Sequence, residues 1–187
     1  MSPTAIVNAK GEDRIRSGHP WIYRSDVMDV AGVEPGIVVN VRGPRHRDLG
    51  HALFSDQSQI TLRMIARDDR AIDEAFWRGR LERAIRFRDV LEIDATAYRL
   101  VHGEADLLPS LIVDRYADYL VMQTLSQGMD RLTPTLVPLL VELTGAKGVL
   151  ARNDPKAARY SRKELAGEVA AAGAAVRREE ERLLKAL

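Results

Sequence analysis

Six side chains within the fourteen-residue run KGEDRIRSGHPWIY have the types to act together: Lys10, Arg14, Arg16, His19, Trp21 and Tyr23. Ammonium and guanidinium groups pair with phosphate oxygens, and flat rings beside them stack on a base or on a guanidinium plane. That is the chemistry by which proteins grip structured or single-stranded RNA. A plainer reading fits the same residues: a short helix, a Gly-His-Pro turn, and a Trp and a Tyr filling a small β core. The two readings are compatible, because one ring can pack while the cations face outward. Arg42, Arg45 and Arg47 surround Gly43-Pro44 and His46 in a second basic turn, which is either a further RNA contact or a solvated hairpin.

Other chemistries find less support. The sequence has no cysteine, which excludes disulfides, thiolate metal sites and a thiol nucleophile. Its four histidines (19, 46, 51 and 102) include no pair at i, i+4, so metal binding is not expected. The segment Thr144-Gly145-Ala146-Lys147-Gly148 has the composition of a phosphate loop but would join a helix to a strand, the reverse of the required order; its glycines read as a helix cap. Glu104, Asp106 and Asp114 can be written as a general acid/base pair for a small hydrolase. Beside Gly103 and ahead of Pro109, the first two read better as turn-makers whose oxygens accept from nearby backbone N–H groups.

Composition sets the outer bounds. A chain of 187 residues, 45% hydrophobic and 29% charged, can build one domain or two small ones. Its net charge of +1 gives no broad electrostatic pull toward nucleic acid. All but five of its 28 basic residues are arginine, the cation with a planar fork for phosphate and a face for stacking, although a GC-rich genome produces the same bias. No apolar run reaches about 18 residues, so no membrane partner is expected. The opening MSPTAIVNAKGEDR holds no apolar stretch of signal-peptide length, which gives the expectation of a cytoplasmic protein.

The elements that must position these residues change period along the chain. Residues 1–67 read as short strands between turns: Thr4–Asn8, Ile37–Arg42 after the Pro35-Gly36 turn, Gly50–Phe54 and Ile60–Ala66. One or two helical turns span Lys10–Ser17 and stop at Gly18. From Ala71 to Leu91 the apolar residues recur at threes and fours, which predicts a helix with Asp68 or Asp69 as its N-cap and with Arg78, Arg80, Arg83, Arg86 and Arg88 on solvated surface. Thr96–His102, Leu111–Tyr116, Tyr119–Leu125 and Gly148–Arg152 read as strands, the middle pair joined at Ala117-Asp118. A helix is predicted from Asp130 or Thr133 to Thr144, kinked or delayed by Pro138. Residues 161–187 are rich in helix formers and carry a thin apolar stripe.

Two of these segments, KGEDRIRSGHPWIY and YRLVHGEADLLPSLIVDRYADYLVMQTLSQGMD at 98–130, together resemble the S-adenosylmethionine-dependent large-subunit rRNA methyltransferase I family, which makes 5-methylcytosine. The resemblance covers residues 5–154 and implies an α+β fold. Residues 1–70 would be a PUA-like RNA-binding β barrel, 71–95 a connecting helix, 96–154 a mixed β-β-α-β middle domain and 155–187 a helical tail. The family's Rossmann methyltransferase domain, with its cofactor glycines and attacking cysteine, is expected to be absent. The implied cofactor is therefore none in this chain, although S-adenosylmethionine serves the full-length family; without a thiolate that route to 5-methylation is closed. Ala117 stands where such sequences commonly carry glycine, and nothing past Arg159 matches. The partner implied is ribosomal RNA; a homodimer stays open.

The expectation is an RNA-docking portion of an rRNA methyltransferase. Lys10, Arg14, Arg16 and the Arg45–Arg47 turn would hold the RNA, with Trp21 or Tyr23 supplying a ring; His19 and Arg42 are counted with them as RNA-binding residues. A free-standing interaction module that self-associates through its C-terminal helix is the alternative, and a small hydrolase a third.

Overall fold

The computed structural model describes residues 3–30 and 32–153, so the expected tail helix lies outside the described residues. Two compact units emerge. One runs to Phe76 and also takes in Ser126–Leu132; the other comprises Trp77–Leu125 and the chain from Thr133.

The first unit is a nearly closed, barrel-like sheet of six strands. These are β1 (Thr4–Val7), β2 (Trp21–Tyr23), β3 (Val27–Asp29), β4 (Val38–Arg42), β5 (Asp48–Phe54) and β6 (Ile60–Ala66), in the spatial order β2-β6-β5-β4-β1-β3. β1 runs parallel to β4, and the other pairs are antiparallel. Period-two alternation turns Ala5, Val7, Val39, Val41, Leu62 and Met64 into a core shared with Ile15 and Ile22. β6 is buried on both faces, Thr61, Arg63 and Ile65 included.

Helix α1 (Ala9–Arg16) fills the gap between β1 and β2. The Asn8 side chain caps it by accepting from Gly11 N at 2.9 Å, and the helix ends before Gly18, whose φ is +90°. Gly11 sits mid-helix because a Cβ there would lie 2.9 Å from Val7 Cβ and 3.1 Å from Asp26 O. The helix can therefore lie directly on the strand and turn beneath it.

Helix α3 (Gln127–Arg131), capped by Ser126, belongs to this first unit although it follows the strands of the second in sequence. Gly128 meets Leu53 with no room for a Cβ, which would fall 2.8 Å from Leu53 Cβ. Ser55 Oγ donates to Gln127 Oε1 at 2.6 Å, and Arg131 donates to Glu34 at 2.7 Å. The sequence pattern carried residues 126–132 with the later strands, and α3 itself was not foreseen.

In the second unit β7 (Ala97–His102), β8 (Leu111–Tyr116) and β9 (Tyr119–Thr124) form an antiparallel meander, and β10 (Gly148–Ala151) adds parallel to β9. Three strands thus precede the helix, one more than a β-β-α-β order has. Helix α4 (Thr133–Thr144) starts at Thr133 with Pro138 inside it, and Gly145 at φ +64° ends it as predicted. Helix α2 (Glu74–Val90) is capped by Asp73, which accepts from Phe76 N at 3.0 Å, and not by Asp68 or Asp69; Asp68 instead accepts from Arg70. Its buried face is Trp77, Leu81, Ala84 and Arg88, whereas Val90 is 74% exposed. Arg88 therefore corrects the expectation that every arginine of this helix is solvated. It makes two bonds to Asp106, at 2.6 and 2.8 Å, and its Nε donates to Arg99 O at 3.1 Å.

Candidate nucleic-acid interface

The residues singled out at the N-terminus gather on α1, β2 and the turn between them. β2 alternates half-buried, buried, half-buried, so Ile22 points into the barrel while Trp21 and Tyr23 share the outer face. Neither ring is interior. His19 joins them: its ring centre lies 6.0 Å from that of Trp21 in an edge-on contact and 6.5 Å from that of Tyr23. The Trp21 N–H donates to His19 Nδ1 at 3.1 Å, fixing the imidazole against the strand. Arg14 completes the group, its guanidinium carbon 5.0 Å from the centre of the Tyr23 ring.

Asp26 holds this arrangement from below and was not foreseen. It is 1% exposed and accepts from Arg14 Nε at 3.2 Å; the Lys10 ammonium lies 3.9 Å away. Arg14, with a side chain 25% exposed, is thereby a positioned group, while Lys10 at 70% keeps most of its ammonium in solvent. Arg16 pairs with Glu12 one turn back at 2.8 Å, and Arg42 with Asp48 at 2.9 Å. Four of the predicted cations thus carry an acidic neighbour, which lowers the net positive field of the patch.

The second basic turn lies next to the first group. Gly43 packs on the Glu12 carboxylate of α1 so closely that a Cβ would collide with it, which brings residues 42–48 alongside the helix. The turn is closed by Gly43 N donating to Arg47 O and His46 N donating to Gly43 O, both at 2.9 Å, with His46 in the left-handed region at φ +55°. Arg45, His46 and Arg47 are exposed, and among the described residues neither arginine forms an ion pair. Two further arginines that residue types alone did not single out fasten the segments that flank the rings. Arg67 donates to Gly18 O at 2.6 Å, and Arg24 donates to Asp56 O at 2.5 Å.

Two of the acids that could serve hydrolysis, Asp106 and Asp114, are engaged in ion pairs. Asp106 is held by Arg88 and also accepts from His102 N at 2.6 Å, the turn-making role expected of it. Asp114 faces Arg99 across β7–β8, with Arg99 Nε 2.9 Å from its Oδ1. Among the described residues no three His, Cys, Asp or Glu side chains gather as a metal site, and no helix is long and apolar enough to cross a membrane.

Comparison with known proteins agrees with this architecture. Residues 5–67 match the family described as PUA-like domain. Ribosomal RNA large subunit methyltransferase I of Vibrio cholerae is 37% identical over 158 residues, 82% of this chain and 40% of its own length. That of Aliivibrio fischeri is 39% identical over 155 residues, 80% of this chain and 39% of its own. That of Shewanella amazonensis is 40% identical over 141 residues, 73% and 35% respectively. The chain therefore spans about two fifths of the length of these relatives. Two solved structures share the fold. A candidate SAM-dependent methyltransferase from Streptococcus mutans has TM-score 0.70 at 16% identity, covering 80% of this chain and 40% of its own. A second methyltransferase candidate, solved with SAH, has TM-score 0.72 at 15% identity, covering 82% and 41%. The protein thus carries a PUA-like domain at residues 5–67 and is homologous to ribosomal RNA large subunit methyltransferase I.

Proposed function

We propose that these residues are the RNA-docking portion of a 23S rRNA 5-methylcytosine methyltransferase and bind ribosomal RNA through the outer face of β2 and the Arg42–Arg47 turn. The observation that carries this is the half-buried ring cluster His19–Trp21–Tyr23, with Arg14 over Tyr23 and the exposed Arg45 and Arg47 of a basic turn beside the same helix. Rings seated on a strand by hydrogen bonds and ion pairs are pre-organised for stacking, worth about 1–3 kcal/mol per base. Lys10, Arg45 and Arg47, all exposed, are assigned to phosphates, and Arg14 and Arg16 to the rim around the rings. Methyl transfer is assigned to the parts of the relatives that this chain does not span; the sequence has no cysteine to add to a pyrimidine. The proposal requires one chain only.

Filter binding to 23S rRNA fragments at two salt concentrations tests it. Retention should be measurable at low salt and fall as salt rises, with Arg45→Ala lowering the slope of log K against log salt by about 0.7–0.9. Equal, negligible retention at both concentrations overturns it.

A further inference from the structure

Asn40 and His51 stand directly opposite each other on β4 and β5, so their side chains leave the same face of the sheet. Both line a groove of about 730 Å³ within the first unit. Among the described residues, His51 Nε2 is buried without a hydrogen-bond partner and the Asn40 side chain makes no hydrogen bond. An orphan imidazole nitrogen next to a free amide is a pair of polar groups placed for something the fold itself does not supply. Pro3, Val38 and Ile72 give the groove apolar walls. Gly50, at φ +106°, lets the β5 backbone press against the Ala66 carbonyl and Arg67, which holds residues 67–72 close over the sheet.

Charge decides what would fit. Three arginines (42, 67, 70) and three aspartates (48, 68, 69) line the groove, and Asp48 and Asp68 are engaged by Arg42 and Arg70. A near-neutral site of this kind is a poor phosphate sink. It suits a flat, uncharged heterocycle whose edge offers donors and acceptors: the amide presents both, and imidazole Nε2 presents either, according to tautomer. The volume lies in the range of small-ligand pockets with apolar walls and a few placed polar groups. Arg67 also donates to Gly18 O, so the groove's rim is fastened to the turn that carries His19.

We propose that this groove receives one nucleobase of the bound RNA, its edge on Asn40 and His51. The assignment rests on the RNA-docking reading and extends it from stacking to base recognition, most readily of a loop base that is already unstacked. Nuclear magnetic resonance of the histidine rings in the full chain tests it, with adenosine, guanosine, cytidine, uridine and inorganic phosphate titrated separately, alongside rRNA-fragment binding. At least one nucleoside should shift the His51 signals saturably while phosphate leaves them in place. Asn40→Ala should weaken that response roughly three- to tenfold with the circular dichroism spectrum unchanged. If the rRNA fragment binds but no nucleoside moves His51, the groove assignment is overturned and docking stands. Phosphate acting as strongly as the nucleosides, or an Asn40→Ala variant that responds like the parent, overturns it too. Nucleoside saturation with no rRNA retention overturns the docking reading instead, and with it the groove's role in RNA.

Discussion

Replacing Asp106 by alanine is expected to cost the second unit about 3 kcal/mol. Arg88 and Asp106 have side chains only 9% exposed, and two charge-assisted bonds of 2.6 and 2.8 Å join them. Removing one member of such a pair strands the other charge out of water, a penalty of about 3–5 kcal/mol. Arg88 would retain its bonds to Arg99 O and Ala84 O, which places the expectation at the lower end. The His102 N–H also loses its acceptor, but its residue is exposed and water can replace the carboxylate at small cost. Urea unfolding followed by tryptophan fluorescence reads the change cleanly, because Trp77 lies in this unit and Trp21 in the other; a Trp21→Phe background isolates the signal. The double variant Arg88→Met/Asp106→Leu, which removes both charges and keeps the volume, should recover most of the loss. A loss below about 1 kcal/mol for Asp106→Ala, at unchanged m-value, refutes the burial argument.

Three further outcomes are expected. Ala117→Gly should stabilise the second unit by about 0.5–1 kcal/mol, since Ala117 occupies the left-handed region at φ +49° in the β8–β9 turn; a lower urea midpoint would contradict this. Gly128→Ala should destabilise the first unit by about 1–3 kcal/mol, because the added methyl has only the stiff base of Leu53 to displace; a neutral midpoint would show that α3 can shift freely. Acid should weaken the fold. Hydrogen bonds from Arg131, Lys147 and Arg78 hold Glu34, Asp118 and Glu142 below the ordinary carboxylate range. A depressed carboxylate contributes stability that is present above its unfolded pKa and lost as pH falls through its folded one. The melting temperature should therefore drop between about pH 5 and pH 2, by less in high salt because these groups are exposed; a rise on acidification would reverse the sign.

Long, β-branched strands announced themselves. Val38–Arg42 and Ile60–Ala66 carry enough alternation and turn punctuation to be read directly, and α2 shows its period over 17 residues. β2 and β3, of three residues each, are too short to show a period; β2 becomes a strand only because residues 60–63 pair with it from far along the chain. α3 was missed for a similar reason, since five residues carry no periodicity, although Ser126 was a cap signal available to find it. At the candidate interface the rings and arginines could be named from their types; that Trp21 and Tyr23 share a face emerges only once β2 pairs with β6. The acids that restrain them could not. Asp26 lies 12 residues from Arg14, and Gly43 meets Glu12 only once the sheet has closed. Arg88 was misassigned because nothing near it in the helix foretells Asp106, 18 residues on.

The return of Ser126–Leu132 to the first unit imposes an order of events during synthesis. The barrel strands leave the ribosome early, but the face of Leu53 and Ser55 stays unsealed until Leu132 has been made, after all three strands of the β7–β8–β9 meander. Nascent chains generally fold domain by domain as they emerge. Here the N-terminal module waits for a segment of its own that is made only after its successor's first three strands, and a translational pause before residue 132 would prolong the stage at which that apolar seam is open to chaperones.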